Sequence, residues 1–165
     1  MFSIVNQFKS SSHSSPLPSA RVHLQNSIIN VNTFPGTTLV YDVVDSDNNN
    51  MYNPATGVFT VVNDGLYVVV SQYCIDNFTA APTVGGMFIT VNGTAVTGTN
   101  GAKDLYFYDS GNAQTSKLVW EVELMAGDTV QVSAFVDNGG SEIIGTSEIG
   151  PIFTGSTFAS IRQVQ

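Results

Sequence analysis

The chain of 165 residues carries 5 Lys and Arg against 13 Asp and Glu, a formal net charge of −8, and only 11% of its residues are charged. So few cations cannot neutralise a run of phosphates, which excludes nucleic-acid binding and attraction to an anionic membrane surface. Val occurs 21 times and Thr 16 times, against 7 Leu and 4 Glu, so residues suited to a pleated surface outnumber the good helix formers and the expected class is all-β. The single cysteine, Cys74, excludes an intrachain disulfide framework. No apolar run approaches the roughly 18 residues of a membrane-spanning helix, so no membrane insertion is expected.

In chain order, the first 19 residues divide from the rest. Phe2, Ile4, Val5 and Phe8 form a small apolar peptide, read either as a disordered terminus or as a segment that docks on a larger protein, and the Ser- and Pro-rich run from Lys9 to Ser19 reads as a flexible stem. The segment Met1–Lys9 has neither a basic n-region nor a continuous apolar h-region, so it does not resemble a secretory signal. Residues 20–165 are then the head. Strands are expected at Arg21–Gln25, Ile28–Val31, Thr38–Val44, Val58–Val62, Leu66–Ile75, Met87–Asn92, Leu105–Asp109, Lys117–Met125, Thr129–Asp137 and Thr157–Val164. Turn signals such as Pro35-Gly36, Asn63-Asp64-Gly65, Asn92-Gly93 and Gly127-Asp128 separate them. About ten short strands without an intervening helix predict a two-sheet sandwich or jelly roll.

Two of these strands indicate what the sheets face. Leu118, Trp120, Val122 and Leu124 alternate with Glu121 and Glu123, giving a core side and a wet side. Tyr67 and Val69 alternate instead with Leu66, Val68 and Val70, so both faces of that strand are apolar. A sandwich supplies one core per sheet, and the second face therefore needs another cover, for which subunit contact is the expectation.

The run from Tyr41 to Ser71 resembles the signature of the complement C1q-like globular head, a ten-stranded jelly roll related to tumour necrosis factor. The residues that carry the likeness are Tyr41, Asp47, Tyr52, Phe59, Gly65 and Tyr67, with Tyr52-Asn-Pro-Ala-Thr-Gly-Val-Phe59 the closest stretch. Leu124-Met-Ala-Gly-Asp-Thr-Val130 and the closing Ser156-Thr-Phe-Ala-Ser-Ile161 are similar too, with Trp120 and Phe158 counted among the signature core. Tyr41, Val69 and Ser71 depart from the family's more aromatic choices, which makes the core more aliphatic. The resemblance implies a homotrimer closed head to tail, with Leu66, Val68 and Val70 beside the threefold axis.

Signals for catalysis are thin. His13 falls in the stem and His23 in the first strand, neither within a nucleophile motif, and Cys74 ends an apolar strand, where an inert buried thiol is expected. No zinc-like spacing or phosphate loop is present, and no enzyme is expected. Asp45 and Asp47 open an Asp/Asn-rich run that is a weak calcium candidate, but the twelfth position is Thr56 and not Glu, so it is no EF-hand and reads as a turn. The sequons at Asn77 and Asn92 complete the list, with Asn92-Gly93 better read as a hairpin turn. Apolar peptide, stem and head together suggest a non-enzymatic trimeric module on a virion surface. In that setting it would be a capsid decoration or head-fibre head, anchored to a capsid or fibre base and facing a host glycan or protein. The alternative is a secreted, extracellular recognition protein.

Overall fold

Alternation of side chains along residues 65–76 produces the strand around which one sheet is built. The computed structural model describes residues 16–26, 28–31, 35–76, 83–96, 104–108, 114–136, 141–144 and 157–164. Its strands are β1 (Ser19–His23), β2 (Ile28–Val31), β3 (Thr37–Thr38), β4 (Val43–Asp47), β5 (Tyr52–Asn53), β6 (Val58–Thr60) and β7 (Gly65–Asp76). They continue as β8 (Thr83–Val91), β9 (Thr94–Ala95), β10 (Asp104–Tyr108), β11 (Gln114–Leu124), β12 (Thr129–Val136), β13 (Ser141–Ile144) and β14 (Phe158–Gln163). No helix occurs among the described residues. The architecture is all-β, two antiparallel sheets in a jelly-roll arrangement.

The first sheet runs β4-β1-β14-β7-β11, and β13 continues along the β14 edge of β7 at Ile75 and Asp76, bringing β2 with it. The second sheet runs β10-β8-β12-β6-β5, with β3 also on β12 and β9 also on β8. The core lies between them. Tyr67 and Val69 of β7, Trp120 of β11, Ile161 of β14 and Val22 of β1 meet Met87 and Ile89 of β8 and Val130 and Val132 of β12. Each of these is 7% exposed or less.

One expected strand, Thr38–Val44, is corrected. β3 pairs with β12 in the second sheet and β4 pairs with β1 in the first, so residues 39–42 cross from one sheet to the other. Leu39 N–H still donates to the Val132 carbonyl of β12 at 2.8 Å, but beyond it the crossing backbone has no ladder to satisfy it. At Tyr41 a side chain does so instead: the Tyr52 hydroxyl accepts from the Tyr41 N–H at 2.7 Å and donates to the Tyr41 carbonyl at 3.1 Å. The Tyr52–Phe59 hairpin is closed by Asn53, whose carbonyl accepts from the N–H groups of Thr56 and Gly57 and whose side chain accepts from Ala55. Gly57 has φ +71°, and a Cβ there would stand 2.6 Å from the Leu39 carbonyl oxygen.

The head's hydrogen bonding begins slightly before residue 20. β1 starts at Ser19, the Pro18 carbonyl accepts from Gln163 N–H, and the Leu17 carbonyl accepts from the Asn48 amide. Phe2, Ile4, Val5, Phe8 and His13 lie outside the described residues. The short strands β5, β9 and β13 were not expected, and β8 starts at Thr83, ahead of the expected Met87.

Candidate functional site

Side chains on the outward face of the first sheet follow from its register. Val70 lies between Val119 of β11 and Ser160 of β14, and Val68 lies between Glu121 and Arg162. Leu66 lies beside Glu123, while Gln72 lies between Lys117 and Phe158. Leu66, Val68 and Val70 are half-buried in the single chain, and Val119 next to them is 62% exposed. An apolar strip therefore runs down the middle of this face.

The strip is bordered by charge. A register shift between Arg21 and Val22 makes Asp45 the extra residue of β4, so its carboxylate sits between two β1 side chains. It meets Arg21 Nε at 3.4 Å and His23 Nδ1 at 2.8 Å. The Arg21 guanidinium also lies 4.7 Å from the centre of the Phe158 ring. That contact corrects one expectation. Phe158 is not a core residue, because Ala159 and Ile161 take the inward positions of β14 and the pleat turns Phe158 to the outward face. Tyr41, Tyr52, Phe59, Tyr67 and Trp120 are buried, and Gly65 is the first residue of β7.

The acidic loop is occupied by its own backbone. Asp47 accepts from the N–H groups of Asn49, Met51 and Tyr52, using both carboxylate oxygens, while Asp45 is held by Arg21 and His23. No group of three His, Cys, Asp or Glu able to hold a metal occurs among the described residues. Asn92 is engaged as well. Its amide donates to Asp128 and accepts from Thr129, and Asn92 (φ 51°) and Gly93 (φ 76°) form the two-residue turn between β8 and β9. Bonds from Asn92 and from the Met125 N–H hold the Asp128 carboxyl below the usual carboxylate range. Cys74 is buried and not part of a disulfide, and His23 pairs with Asp45, not with a nucleophile.

Burial pushes the Tyr41 phenol well above its ordinary range, partly opposed by its hydrogen bond to Ser71 and reinforced by neighbouring Tyr52. Tyr52 and Tyr67 move the same way for the same first cause, each partly opposed by a hydrogen bond to a backbone carbonyl.

The outward face of the second sheet has a different character. Thr38, Phe88, Thr90, Gln131 and Ser133, with Gly36 and Ala95 at the rim, line a shallow depression of about 280 Å³. Half-buried Thr38, Thr90 and Gln131 present two hydroxyls and an amide there, Phe88 and Ser133 are buried beneath, and no charged side chain lines it. A larger open hollow of about 610 Å³ lies between Asp64, Leu66, Glu123 and Met125, at the end of the apolar strip. Sequence reading missed the pairing of Val68 with both Glu121 and Arg162, and it missed the groove. Neither has a local signal, since both depend on cross-strand register.

The sequence matches no protein-family model and no curated protein. Solved structures are similar in fold. The globular domain of zebrafish complement 1qA protein superposes with a TM-score of 0.59 at 16% identity, covering 88% of this chain and 94% of that one. Murine APRIL gives 0.60 at 11% identity over 90% of this chain and 99% of that one. The Eiger TNF of S. frugiperda gives 0.58 at 12% identity, over 91% and 94%. The fold is therefore the C1q/TNF-like jelly roll that the Tyr41–Ser71 motif suggested.

Proposed function

We propose that this protein is a non-enzymatic binding module that assembles head to tail as a homotrimer on the surface of a virus or phage particle. The observation that carries the reading is the apolar strip of Leu66, Val68 and Val70 on the outward face of the first sheet, flanked by exposed Val119. A strip of this kind is stabilised when another surface removes it from water, at about 25 cal/mol per Å² of apolar area. Three copies closed around a threefold axis would cover it on every copy. The second sheet would then face outward, and its neutral groove, with the hydroxyls of Thr38 and Thr90 and the amide of Gln131, suits a host glycan or a protein loop. The apolar peptide of Phe2, Ile4, Val5 and Phe8 would dock on a capsid or fibre base, three peptides per trimer adding by effective concentration.

Light scattering on the full chain at micromolar concentration should give three chain masses, and Val68→Asp should dissociate the assembly, because an unpaired charge in an apolar contact is costly. A single chain mass that persists at high concentration rejects the reading. A truncation beginning at Pro16 keeps the Leu17 and Pro18 hydrogen bonds, so it should fold and trimerise normally. It should also lose co-sedimentation with particles lacking the protein; equal co-sedimentation would place the attachment in the head.

A second reading, an extracellular recognition protein, is favoured by the complement and TNF proteins among the solved neighbours. Neighbouring capsid or tail genes would decide for the virion, and an upstream signal segment for secretion.

A further inference from the structure

We infer that the copies of the proposed ring are aligned by opposite charges, with Arg162 of one copy meeting Glu121 and Glu123 of the next. This inference rests on the trimer reading and specifies its contact. The chain has only five cationic side chains, of which Lys9 and Lys103 lie outside the described residues. Arg21, Lys117 and Arg162, the other three, all project from the outward face of the first sheet. A chain so poor in cations has placed every described one on the apolar face.

The arrangement across that face is ordered. Arg21 is held by Asp45 and lies over Phe158. Arg162, by contrast, is exposed and has no ion pair among the described residues, and neither have the exposed Glu121 and Glu123. Glu121 and Arg162 are both in register with Val68, from opposite sides. Two strand spacings separate them, about 10 Å of backbone, with Val68 between. Around Leu66 and Val68 the face thus presents an acidic flank of Glu121 and Glu123 on β11, an apolar centre on β7 and a basic flank of Arg162 on β14, while Lys117, also on β11, lies away from them beside Gln72. In a head-to-tail contact the two flanks belong to different copies, so acid meets base at every joint of the ring. Acid against acid, in a chain of net charge −8, would instead repel. The central strip supplies attraction without direction, and the flanks supply register.

Salt concentration alone is a poor test, because screening weakens both the pairing and the repulsion between acidic copies. Charge reversal separates them. Arg162→Glu should raise the dissociation constant about tenfold or more, the size expected of a close interfacial charge pair, and Glu121→Arg with Glu123→Arg should do the same. All three substitutions in one chain should return the constant to within about threefold of the original, since each joint again joins opposite charges. Thr60→Glu, an added charge on the other sheet, should leave it nearly unchanged. Mass is read by light scattering, and thermal melting checks that each variant is folded.

A triple variant assembling no better than the weaker of its parents overturns the charge pairing, as does an Arg162→Glu chain that assembles like the original. If Val68→Asp dissociates while Arg162→Glu does not, the apolar contact stands and the pairing falls. A single chain mass for the unsubstituted protein removes the ring itself, and a two-chain mass replaces it with a face-to-face dimer.

Discussion

Removing one oxygen from Tyr52 should destabilise the head more than removing the same oxygen from the deeper Tyr41. Tyr41 is fully buried and Tyr52 is 7% exposed, so burial alone ranks them the other way. Hydrogen bonding decides it. The Tyr52 hydroxyl is the partner of both the N–H and the carbonyl of Tyr41, at 2.7 and 3.1 Å, in a stretch that belongs to neither sheet. Tyr52→Phe keeps the ring packed against Phe59, whose centroid is 4.8 Å away, but strands two buried backbone groups. Each such group costs about 1–3 kcal/mol, and the phenol's own desolvation is relieved in return, which leaves a loss of about 3 kcal/mol. The Tyr41 hydroxyl contacts Ser71 Oγ at 3.2 Å, and Ser71 keeps its bond to the Phe158 carbonyl at 3.1 Å when Tyr41 becomes Phe. That change should cost about 1 kcal/mol. Urea unfolding at one fixed chain concentration measures both, and fixing it matters because assembly contributes to apparent stability. In melting temperature the losses correspond to about 6–12 °C and 2–4 °C for a domain of this size. Equal losses, or a larger one at Tyr41, would refute the account of the 39–42 crossing.

Further expectations concern pH, a turn and metal. The phenols of Tyr41, Tyr52 and Tyr67 are raised in the folded state, so their contribution is fully present below the unfolded value of about 10 and is lost as pH rises above it. Spectrophotometric titration should therefore show tyrosine ionisation coinciding with alkaline unfolding, and smooth ionisation of all tyrosines in a folded protein would contradict it. Gly57→Ala should be worse than Gly93→Ala: both have positive φ, worth about 1–2 kcal/mol, but only at Gly57 would the Cβ strike backbone, 2.6 Å from the Leu39 oxygen. Comparing the two melting temperatures checks it. EDTA should leave the melting temperature unchanged, whereas Asp47→Ala should lower it through the loss of three bonds to backbone N–H groups; a calcium-restored shift would reverse this reading.

What the sequence disclosed follows from which forces are local. Alternation marked β7 and β11 with the correct inward faces, because a pleat reverses at every residue whatever the neighbours do. The Tyr52–Phe59 hairpin was legible since Asn53 and Gly57 act within a few residues of each other. The break inside Thr38–Val44 was not. Leu39 and Tyr41 alternate with polar or half-buried neighbours as a strand would, and only the change of partner from β12 to β1 ends the ladder. Phe158 was misplaced for a related reason. In a short closing strand with apolar residues of both parities, the inward set is chosen by pairing with Ser71 and Val69, not by size. The apolar strip was legible from Leu66, Val68 and Val70 alone, yet the charges beside it were not, as Arg162 is 94 residues from Val68 along the chain.

The two outward faces divide the chemistry between them. On the first sheet Arg21, Lys117, Arg162, Glu121 and Glu123 surround an apolar strip, whereas the described outward side chains Thr38, Thr60, Thr90, Gln131 and Ser133 of the second are uncharged. A charged, partly apolar surface is selective toward a partner of complementary pattern, and a second copy of this chain supplies one with no further design. A neutral hydroxylated surface neither attracts nor repels copies of a chain with net charge −8, and it leaves hydroxyl and amide groups for a neutral ligand. Central β7 joins the two roles. Tyr67, Val69 and Ser71 on its inner side are committed to the fold, so substitutions there should lower stability and assembly together. Leu66, Val68 and Val70 on its outer side are only half-buried in one chain, so substitutions there should lower assembly first.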